Sequence, residues 1–427
     1  MSRRSSILRR KGDDACSALP EAAAPGDPGQ DACVSRAQET EGPAFPTALS
    51  RNPAVPGVTD TAAGTGGDEI VTPGASADSL RPRPASPAPP SGTIAPAARR
   101  FLAPAGDIFR NMGMRGRDFS AVADDLRSPV LRIPITPRGR AGLRVIRSLP
   151  TPVRGLRPSV PVRTVQVPAA GGPVRVLRYE RTDRARPGAA LLWLHGGGFT
   201  FGRPEQSHEL CSRWADELGL LVLSVGYRLA PDHPFPSGLD DAYAVLRWAA
   251  AEAEALGIRA DRIAVGGESA GGGIAAALAQ LARDRQEPPV RFQLLQYPML
   301  DDRTVLRASH DGRGQFVWTP ANNRFAWTSY LGAAPAQDDD RPYAAPARTA
   351  NLEGLPSAWI GVGDLDLFHD EDTSYARRLT EAGVACDLHV QAGMYHGADS
   401  VVPHAATSLA FRDRMTQALA QGLDVTP

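Results

Sequence analysis

Ser269 lies in the pentapeptide Gly267-Glu268-Ser269-Ala270-Gly271, a G-x-S-x-G arrangement that can present a reactive hydroxyl. The apolar run Ile263 to Val265 precedes it and a proline-free, alanine-rich run follows, which predicts a strand, a sharp turn and a helix. Glycine at 267 and 271 removes Cβ atoms where backbone must pass close to backbone. Such a turn lifts the serine hydroxyl clear of both elements, as a nucleophile requires.

Two other glycine-rich motifs, a dinucleotide fingerprint and a P-loop, are alternatives to this interpretation. Gly271, Gly273 and Ala276 form G-x-G-x-x-A, a dinucleotide pattern, but no acidic residue closes a following strand about 20 residues on. A phosphate-binding P-loop requires Gly-Lys-Ser/Thr, and Lys11 is the only lysine of the chain. The sequence therefore disfavours phosphate-loop chemistry and a lysine Schiff base in the core.

A nucleophilic serine needs a base, an orienting carboxylate and donors for the developing oxyanion. Upstream, the run 192–199 ends an apolar stretch in His195-Gly-Gly-Gly198, whose N–H groups can converge on a negative charge. Downstream, two candidate carboxylates, Asp364 and Asp366, follow one predicted strand, and His396 follows the last. The chain order Ser, Asp, His is that of α/β-hydrolases.

The elements that must position these residues alternate regularly along the chain. Continuous apolar runs predict strands buried on both faces, and amphipathic runs between them predict helices. Val162–Val167 and Val174–Tyr179 alternate as an antiparallel edge pair around a turn at 170–173. The other predicted strands span 189–194, 220–225, 263–265, 292–295, 358–362 and 385–390. Helices are expected at 205–218 after Pro204, from a Ser237 cap to Leu256, after Ser269, at 372–382 and at 405–420. Such alternation indicates a mostly parallel sheet covered on both faces, with sites at the carboxyl ends of its strands.

From about Pro161 to the C-terminus, the sequence resembles the hormone-sensitive-lipase-like esterases of bacteria, the HGGG-bearing carboxylesterase branch of the α/β-hydrolases. The resemblance implies the α/β-hydrolase fold, with Ser269 as nucleophile and His396 as base. Asp366-Leu-Phe-His-Asp-Glu resembles the family's Asp-Pro-Leu-x-Asp-Glu, which places the triad carboxylate on Asp366 rather than Asp364, with Leu367 in place of the usual proline. The implied oxyanion donors are the N–H groups of Gly197, Gly198 and Ala270. The segment 227–236 is similar to a family segment that lines the site entrance.

The resemblance also implies a reaction and a substrate class. His396 would take the proton of Ser269, which attacks an ester carbonyl, and water would hydrolyse the acyl-enzyme without a metal or cofactor. Short- to medium-chain acyl esters are the expected substrates. Because some relatives keep the pocket as receptors and lose the triad histidine, a non-catalytic ligand-binding protein is the alternative.

Other residues that could do chemistry have simpler interpretations. The run His369 to Asp372 resembles a metal cluster, but acidic residues are expected at a helix N-terminus and adjacent side chains point apart. His195 precedes the glycines and is interpreted as a packing and hydrogen-bonding residue. Asp301 and Asp302 are interpreted as loop structure.

Length and composition limit the classes of protein that the sequence can represent. The chain has 427 residues and a formal net charge of zero, enough for one large α/β domain with additional segments. Its four cysteines, at 16, 33, 211 and 386, form no C-x-x-C pair, which disfavours a zinc site or a disulfide framework. Asp13 and Asp14 follow the basic N-terminus where a signal peptide would be apolar, and no apolar run could span a bilayer. We therefore expect a cytoplasmic protein without an integral membrane segment.

Three regions are expected. Residues 1–98 are rich in Ala, Pro, Gly and Ser and are predicted to be a disordered tail, either a linker or a docking segment. Residues 99–160 are rich in arginine, and the resemblance implies a helical cap over the pocket that could favour an anionic ester. Residues 161–427 would form the catalytic domain. The neutral chain disfavours nucleic acid as a partner, and a homodimer is kept as a candidate assembly.

Overall fold

The computed structural model describes residues 119–132, 139–148 and 160–426. The predicted tail at 1–98 and most of the predicted cap segment lie outside these residues. Within the cap segment, the structure describes 3-10 turns at Asp124–Leu126 and Pro129–Arg132 and one helix, α1, at Gly139–Ser148.

One eight-stranded sheet organises the rest of the described chain. Its strands are β1 (Val162–Val167), β2 (Val174–Tyr179), β3 (Gly188–Leu194), β4 (Leu221–Gly226), β5 (Ile258–Glu268), β6 (Phe292–Gln296), β7 (Ala358–Gly363) and β8 (Cys386–Gln391). Their spatial order is β1-β2-β4-β3-β5-β6-β7-β8. Strand β2 is antiparallel to both of its neighbours, and every pair from β4 to β8 is parallel. The mostly parallel sheet is therefore confirmed.

Helices cover both faces of this sheet. They are α2 (His208–Glu217), α3 (Ser237–Ala251), α4 (Ala253–Leu256), α5 (Ala270–Arg285), α6 (Pro320–Leu331), α7 (His369–Glu381), α8 (Ala398–Val401) and α9 (Ala406–Gly422). Two separate apolar clusters fill the layers. Ile274 of α5 belongs to one and Phe411 of α9 to the other. Strands β3 and β7 read as near-continuous apolar runs because they are buried on both faces.

Several predicted boundaries differ from the observed ones. Pro204–Ser207 forms a 3-10 turn, so α2 begins only at His208. Ser237 is not the cap of α3 but its first residue, because its N–H already donates to the carbonyl of Pro234 and Pro236 takes the cap position. The same predicted helix ends at Ala251, and Leu256 is buried from the separate short helix α4.

Helix α6 was missed by the sequence analysis, although its signal is present. Thr319 caps this helix by accepting the N–H of Asn322, and Pro320 occupies its first turn. Threonine followed by proline is a recognised start of a helix. The helix belongs to residues 301–357, the larger part of the connection from β6 to β7, which we call the insert.

No helix in the described part of the chain is long and apolar enough to cross a membrane.

Candidate active site

Ser269 lies on a sharp turn between the end of β5 and the start of α5, as the sequence predicts. Its backbone has φ 55° and ψ −119°, a conformation that costs free energy for a residue with a Cβ. The turn is held on both sides, because the N–H of Ser269 donates to the carbonyl of Gln296 and its carbonyl accepts from Met299. The rest of the fold therefore enforces the strained backbone of the candidate nucleophile.

Glycine at positions 267 and 271 makes this turn sterically feasible. A Cβ on Gly267 would lie 2.4 Å from the carbonyl carbon of Gly271, and one on Gly271 would lie 2.1 Å from the carbonyl oxygen of Leu194. Both obstacles are backbone atoms that no rotamer change can move. We call residues 263–273 the elbow.

The structure brings Ser269, His396 and Asp366 together from three different connections. Nε2 of His396 lies 2.9 Å from Oγ of Ser269, and Nδ1 lies 2.7 Å from Oδ2 of Asp366. An ionised carboxylate only accepts, so Nδ1–H donates to Asp366 and Nε2 is left to accept the serine proton. Asp366 also accepts the N–H of Phe368 at 2.9 Å, which fixes its orientation.

Aromatic rings surround the imidazole. Tyr297 and Phe368 meet the ring of His396 edge-on, with centroid distances of 4.7 and 5.1 Å. His396 and Asp366 are both buried, so their charges interact with little solvent screening. An imidazolium at His396 would be stabilised chiefly by Asp366.

Asp364, the competing carboxylate, has a different position. It accepts the N–H of Gly393 at 2.8 Å and so fastens the loop that carries His396. The structure therefore brings Asp366, and not Asp364, to the imidazole.

The stretch 196–201, which we call the oxyanion loop, follows β3. Gly197, Gly198 and Phe199 all have positive φ values, of 120°, 56° and 60°. Thr200 and Phe201 both donate their N–H to the carbonyl of Gly197, so the loop is a compact turn. Ala270 is the first residue of α5, where N–H groups lack an intrahelical partner.

Within the described residues, the N–H groups of Gly197, Gly198 and Ala270 have no hydrogen-bond acceptor. These are the predicted oxyanion donors, and they remain free to bind a carbonyl oxygen. Helix α5 adds the positive end of its dipole at Ala270.

His195 packs beneath this loop. Its ring stacks on Tyr227 at 4.3 Å, and Nδ1 donates to the carbonyl of Gly196 at 2.8 Å. Burial lowers the pKa of His195 to about 4, which keeps the ring neutral. It has the packing and hydrogen-bonding position that the sequence analysis assigned to it.

Glu268 was not singled out from the sequence, although it occupies the second position of the pentapeptide. It accepts the N–H of Gly196 at 3.0 Å and the Gln206 amide at 2.7 Å. Burial raises the pKa of Glu268 above its usual range. Its carboxyl group joins the oxyanion loop to the elbow.

The insert contributes the second feature that the sequence analysis missed. Trp318 packs over the oxyanion loop, such that a Cβ built on Gly198 would lie 2.2 Å from Cη2 of the indole. The ring centroids of Trp318 and His396 are 6.0 Å apart, and Nε1 donates to Oδ1 of Asn323 at 3.3 Å. The indole therefore lies close to both the oxyanion loop and the imidazole of His396.

Val317 supports this placement by a strained turn. Its φ is 57°, an outlier for a β-branched residue, and the N–H of Trp318 reaches back to the carbonyl of Phe316 at 2.6 Å. Asn322 donates its side-chain amide to the Val317 carbonyl at 3.2 Å. Strain of this kind persists only where surrounding structure enforces it, and it is common at functional sites.

The acidic run after Asp366 begins helix α7 at His369, as the sequence analysis interpreted it. Among the described residues, no group of three or more His, Cys, Asp or Glu side chains could hold a metal ion. Glu371 accepts the N–H groups of Leu300 and Asp301 and fastens the insert. Asp372 is fully buried, and neither of its carboxyl oxygens has a hydrogen-bond partner within the described chain.

Comparison with known proteins agrees with this geometry. A protein-family model described as the alpha/beta hydrolase fold matches residues 191–400. Esterase LipI of Mycobacterium tuberculosis is 35% identical over 257 residues, which cover 59% of this chain and 78% of LipI. The ethyl acetate hydrolase of Pseudomonas putida is 39% identical over 225 residues, covering 52% of this chain and 70% of the relative.

Solved structures show the same similarity. The structure titled Bacterial Heroin Esterase superposes with a TM-score of 0.64 at 36% identity, covering 71% of this chain and 99% of that one. The chain has the α/β-hydrolase fold. It belongs to the hormone-sensitive-lipase-like carboxylesterases and is a carboxylic ester hydrolase.

Proposed function

We propose that this esterase cleaves short- to medium-chain carboxylic esters through a Ser269–His396–Asp366 triad and an acyl-enzyme intermediate. The observation that carries the proposal is the unbroken path from Oγ of Ser269 through both nitrogens of His396 to Asp366, with distances of 2.9 and 2.7 Å. A neutral imidazole in this path can accept the serine proton as the hydroxyl attacks.

In the first half-reaction, Oγ of Ser269 attacks the ester carbonyl while Nε2 of His396 takes its proton. The carbonyl oxygen becomes an oxyanion that the N–H groups of Gly197, Gly198 and Ala270 would bind, each worth roughly 3 kcal/mol by analogy with a removed oxyanion donor. His396 then returns the proton to the departing alkoxide, and the acyl group stays on Ser269. Water completes the cycle by the same proton transfers in reverse order.

The size of the acyl group is the second part of the proposal. Trp318 stands against Gly198 and faces His396, so its indole limits the room beside the carbonyl carbon. The relative from Pseudomonas putida bears the name of a hydrolase of ethyl acetate, a two-carbon acyl ester. Both observations favour small acyl groups over long chains.

The test is hydrolysis of p-nitrophenyl esters from acetyl to palmitoyl by the wild type, Ser269→Ala and Ser309→Ala. Ser309 is an exposed serine of the insert and serves as the matched control. We expect turnover that declines beyond medium chains, a loss of about 10⁴-fold or more in kcat for Ser269→Ala, and no change for Ser309→Ala. A folded wild type without turnover on any ester would instead favour the ligand-binding alternative.

A further inference from the structure

We propose that Arg147, which lies outside the α/β core, is a positioning residue for the oxyanion loop. The inference rests on the proposed function, because it assigns a role in holding the donors Gly197 and Gly198. Arg147 lies on α1, within the predicted cap segment 99–160, which we call the N-terminal segment here. It makes this segment part of the catalytic apparatus.

The oxyanion loop needs support from outside. Three successive residues have positive φ, and Phe199 is not a glycine, so this conformation is costly on its own. The hydrogen bonds to the Gly197 carbonyl close the turn, but within it the carbonyl groups of Phe199 and Thr200 accept no backbone hydrogen bond. Those two carbonyls are where external donors can fix the loop.

Arg147 reaches both carbonyls, one directly and one through a neighbour. Its Nε donates to the Thr200 carbonyl at 2.8 Å, and Nη2 donates to the Ala230 carbonyl at 2.7 Å. The N–H of Ala230 in turn donates to the Phe199 carbonyl at 2.9 Å. The planar guanidinium thus bridges two connections that leave neighbouring strands, in a geometry that a lysine ammonium cannot reproduce.

The guanidinium is itself held in place. It forms an ion pair with Asp232, and the backbone carbonyl of Arg147 accepts from Nη2 of Arg203 at 2.8 Å. Leu143 on the same helix is buried. Arg147 is therefore held both at its guanidinium and at its backbone, as a positioning residue must be.

A second contact of the N-terminal segment reaches the other side of the site. The N–H of Ala123 donates to the Gly393 carbonyl at 3.1 Å, and the hydroxyl of Tyr395 donates to the Leu126 carbonyl at 3.1 Å. Both contacts lie within three residues of His396. The N-terminal segment thus fastens the histidine loop with one stretch and the oxyanion loop with another.

Loss of Arg147 should alter catalysis more than binding. Without its donors, the oxyanion loop populates conformations in which the N–H groups of Gly197 and Gly198 no longer converge. The oxyanion exists only during the reaction, so its loss of stabilisation lowers kcat and leaves KM largely unchanged. Misplacement by about 1 Å can cost roughly 10²-fold in rate.

The experiment compares Arg147→Ala, Arg147→Lys and the control Arg144→Ala. Arg144 lies on the same helix and is exposed, and the described residues offer it no hydrogen-bond or ion-pair partner. The measurements are kcat and KM on p-nitrophenyl acetate and the affinity for an alkyl trifluoromethyl ketone, whose serine adduct carries an oxyanion. Rates are divided by the concentration of active serine, titrated with a phosphonate ester, so that unfolded protein does not count.

We expect Arg147→Ala to lose about 10- to 100-fold in kcat and a similar factor in affinity for the ketone, with KM within about twofold. Arg147→Lys should fall between Arg147→Ala and the wild type. A kcat for Arg147→Ala within twofold of Arg144→Ala, or a change confined to KM or to thermal stability, would overturn the inference. A wild type without turnover would remove the proposed function itself, and the inference with it.

Discussion

Ser269 is enclosed by backbone on one side and by side chains on the other. In the elbow, the backbone of glycine residues packs directly against other backbone atoms; Gly271, for example, lies against the carbonyl group of Leu194. In the insert, the aromatic ring of Trp318 contacts Gly198, and the buried carboxylate of Glu371 on α7 accepts the N–H of Asp301 at the start of the insert. Under the proposed mechanism, the first region fixes where the reactive atoms lie, and the second fixes what fits beside them. Substitutions in the elbow should therefore abolish function, whereas those in the insert should redirect it.

The carboxylate beside His396 should show the largest effect. We expect Asp366→Asn to lower kcat by about 10⁴-fold, because an amide orients the imidazole in the wrong tautomer. Asp364→Asn is the matched control, since an amide oxygen can still accept the N–H of Gly393. Steady-state kinetics of both variants decide between the carboxylates. Equal losses would contradict the assignment of Asp366.

The close packing of the elbow is tested by Gly271→Ala. The added Cβ would meet the Leu194 carbonyl oxygen at 2.1 Å, so we expect a loss of more than about 3 kcal/mol in the free energy of unfolding, measured in urea. Gly383→Ala is the control, because its φ is 77° but nothing lies within 4 Å of the added Cβ. It should cost only about 1–2 kcal/mol, the strain of a left-handed backbone. Similar losses at both positions would show that the elbow is not tightly packed.

The wall made by the insert is tested by Trp318→Ala. Removing the indole should open room for about two more methylene groups, each worth about 0.8 kcal/mol when buried. The preference for p-nitrophenyl octanoate over acetate, as a ratio of kcat/KM, should rise roughly tenfold. The exposed Thr328 of α6 gives a control, Thr328→Ala, that should leave this ratio unchanged. A uniform loss on all esters would mean that Trp318 positions the site but does not select its substrate.

Asp372, in the first turn of α7, should show a small and pH-dependent effect. Burial, and then the nearby Glu371 and Asp366, raise the pKa of Asp372 well above its usual range. The unfolded chain ionises near pH 4 and the folded chain only at higher pH, so this residue destabilises the fold increasingly as pH rises above the unfolded value.

Asp372→Asn removes this titration. Its stability relative to the wild type should rise between pH 5 and pH 8. Urea unfolding at both pH values measures the difference. Glu254→Gln, at an exposed site on α4, should show no such trend. A difference that is constant with pH would contradict a raised pKa of Asp372.

The elbow could be predicted from the sequence because its function depends on local rules. Gly267 and Gly271 mark the positions where a Cβ atom would not fit. The pentapeptide around Ser269 also marks the point where the strand ends and the helix begins. Likewise, the apolar runs of β3 to β7 indicated a buried parallel sheet, and the order Ser269, Asp366, His396 matched successive connections. These features could be predicted because residues close together in the sequence determine them.

The insert could not be predicted in this way because its geometry depends on distant partners. The positive φ of Val317 has no local signature, since β-branched residues disfavour it, and Asn322 helps to hold it there. The contacts of Arg147 span 53 and 83 residues of sequence. Only Thr319-Pro320, a local helix start, could have revealed α6. The predicted tail at 1–98 and most of the predicted cap remain expectations.

The central claim, that Ser269 is the nucleophile, is tested most directly by covalent labelling with a p-nitrophenyl alkylphosphonate. The tryptic peptide from Ile263 to Arg283 contains Ser269 as its only hydroxyl-bearing residue, so a mass shift on it identifies the site. We predict release of one equivalent of p-nitrophenolate, one phosphonyl group on this peptide, and neither with Ser269→Ala. Labelling of another peptide, or an active and unlabelled enzyme, would contradict the account.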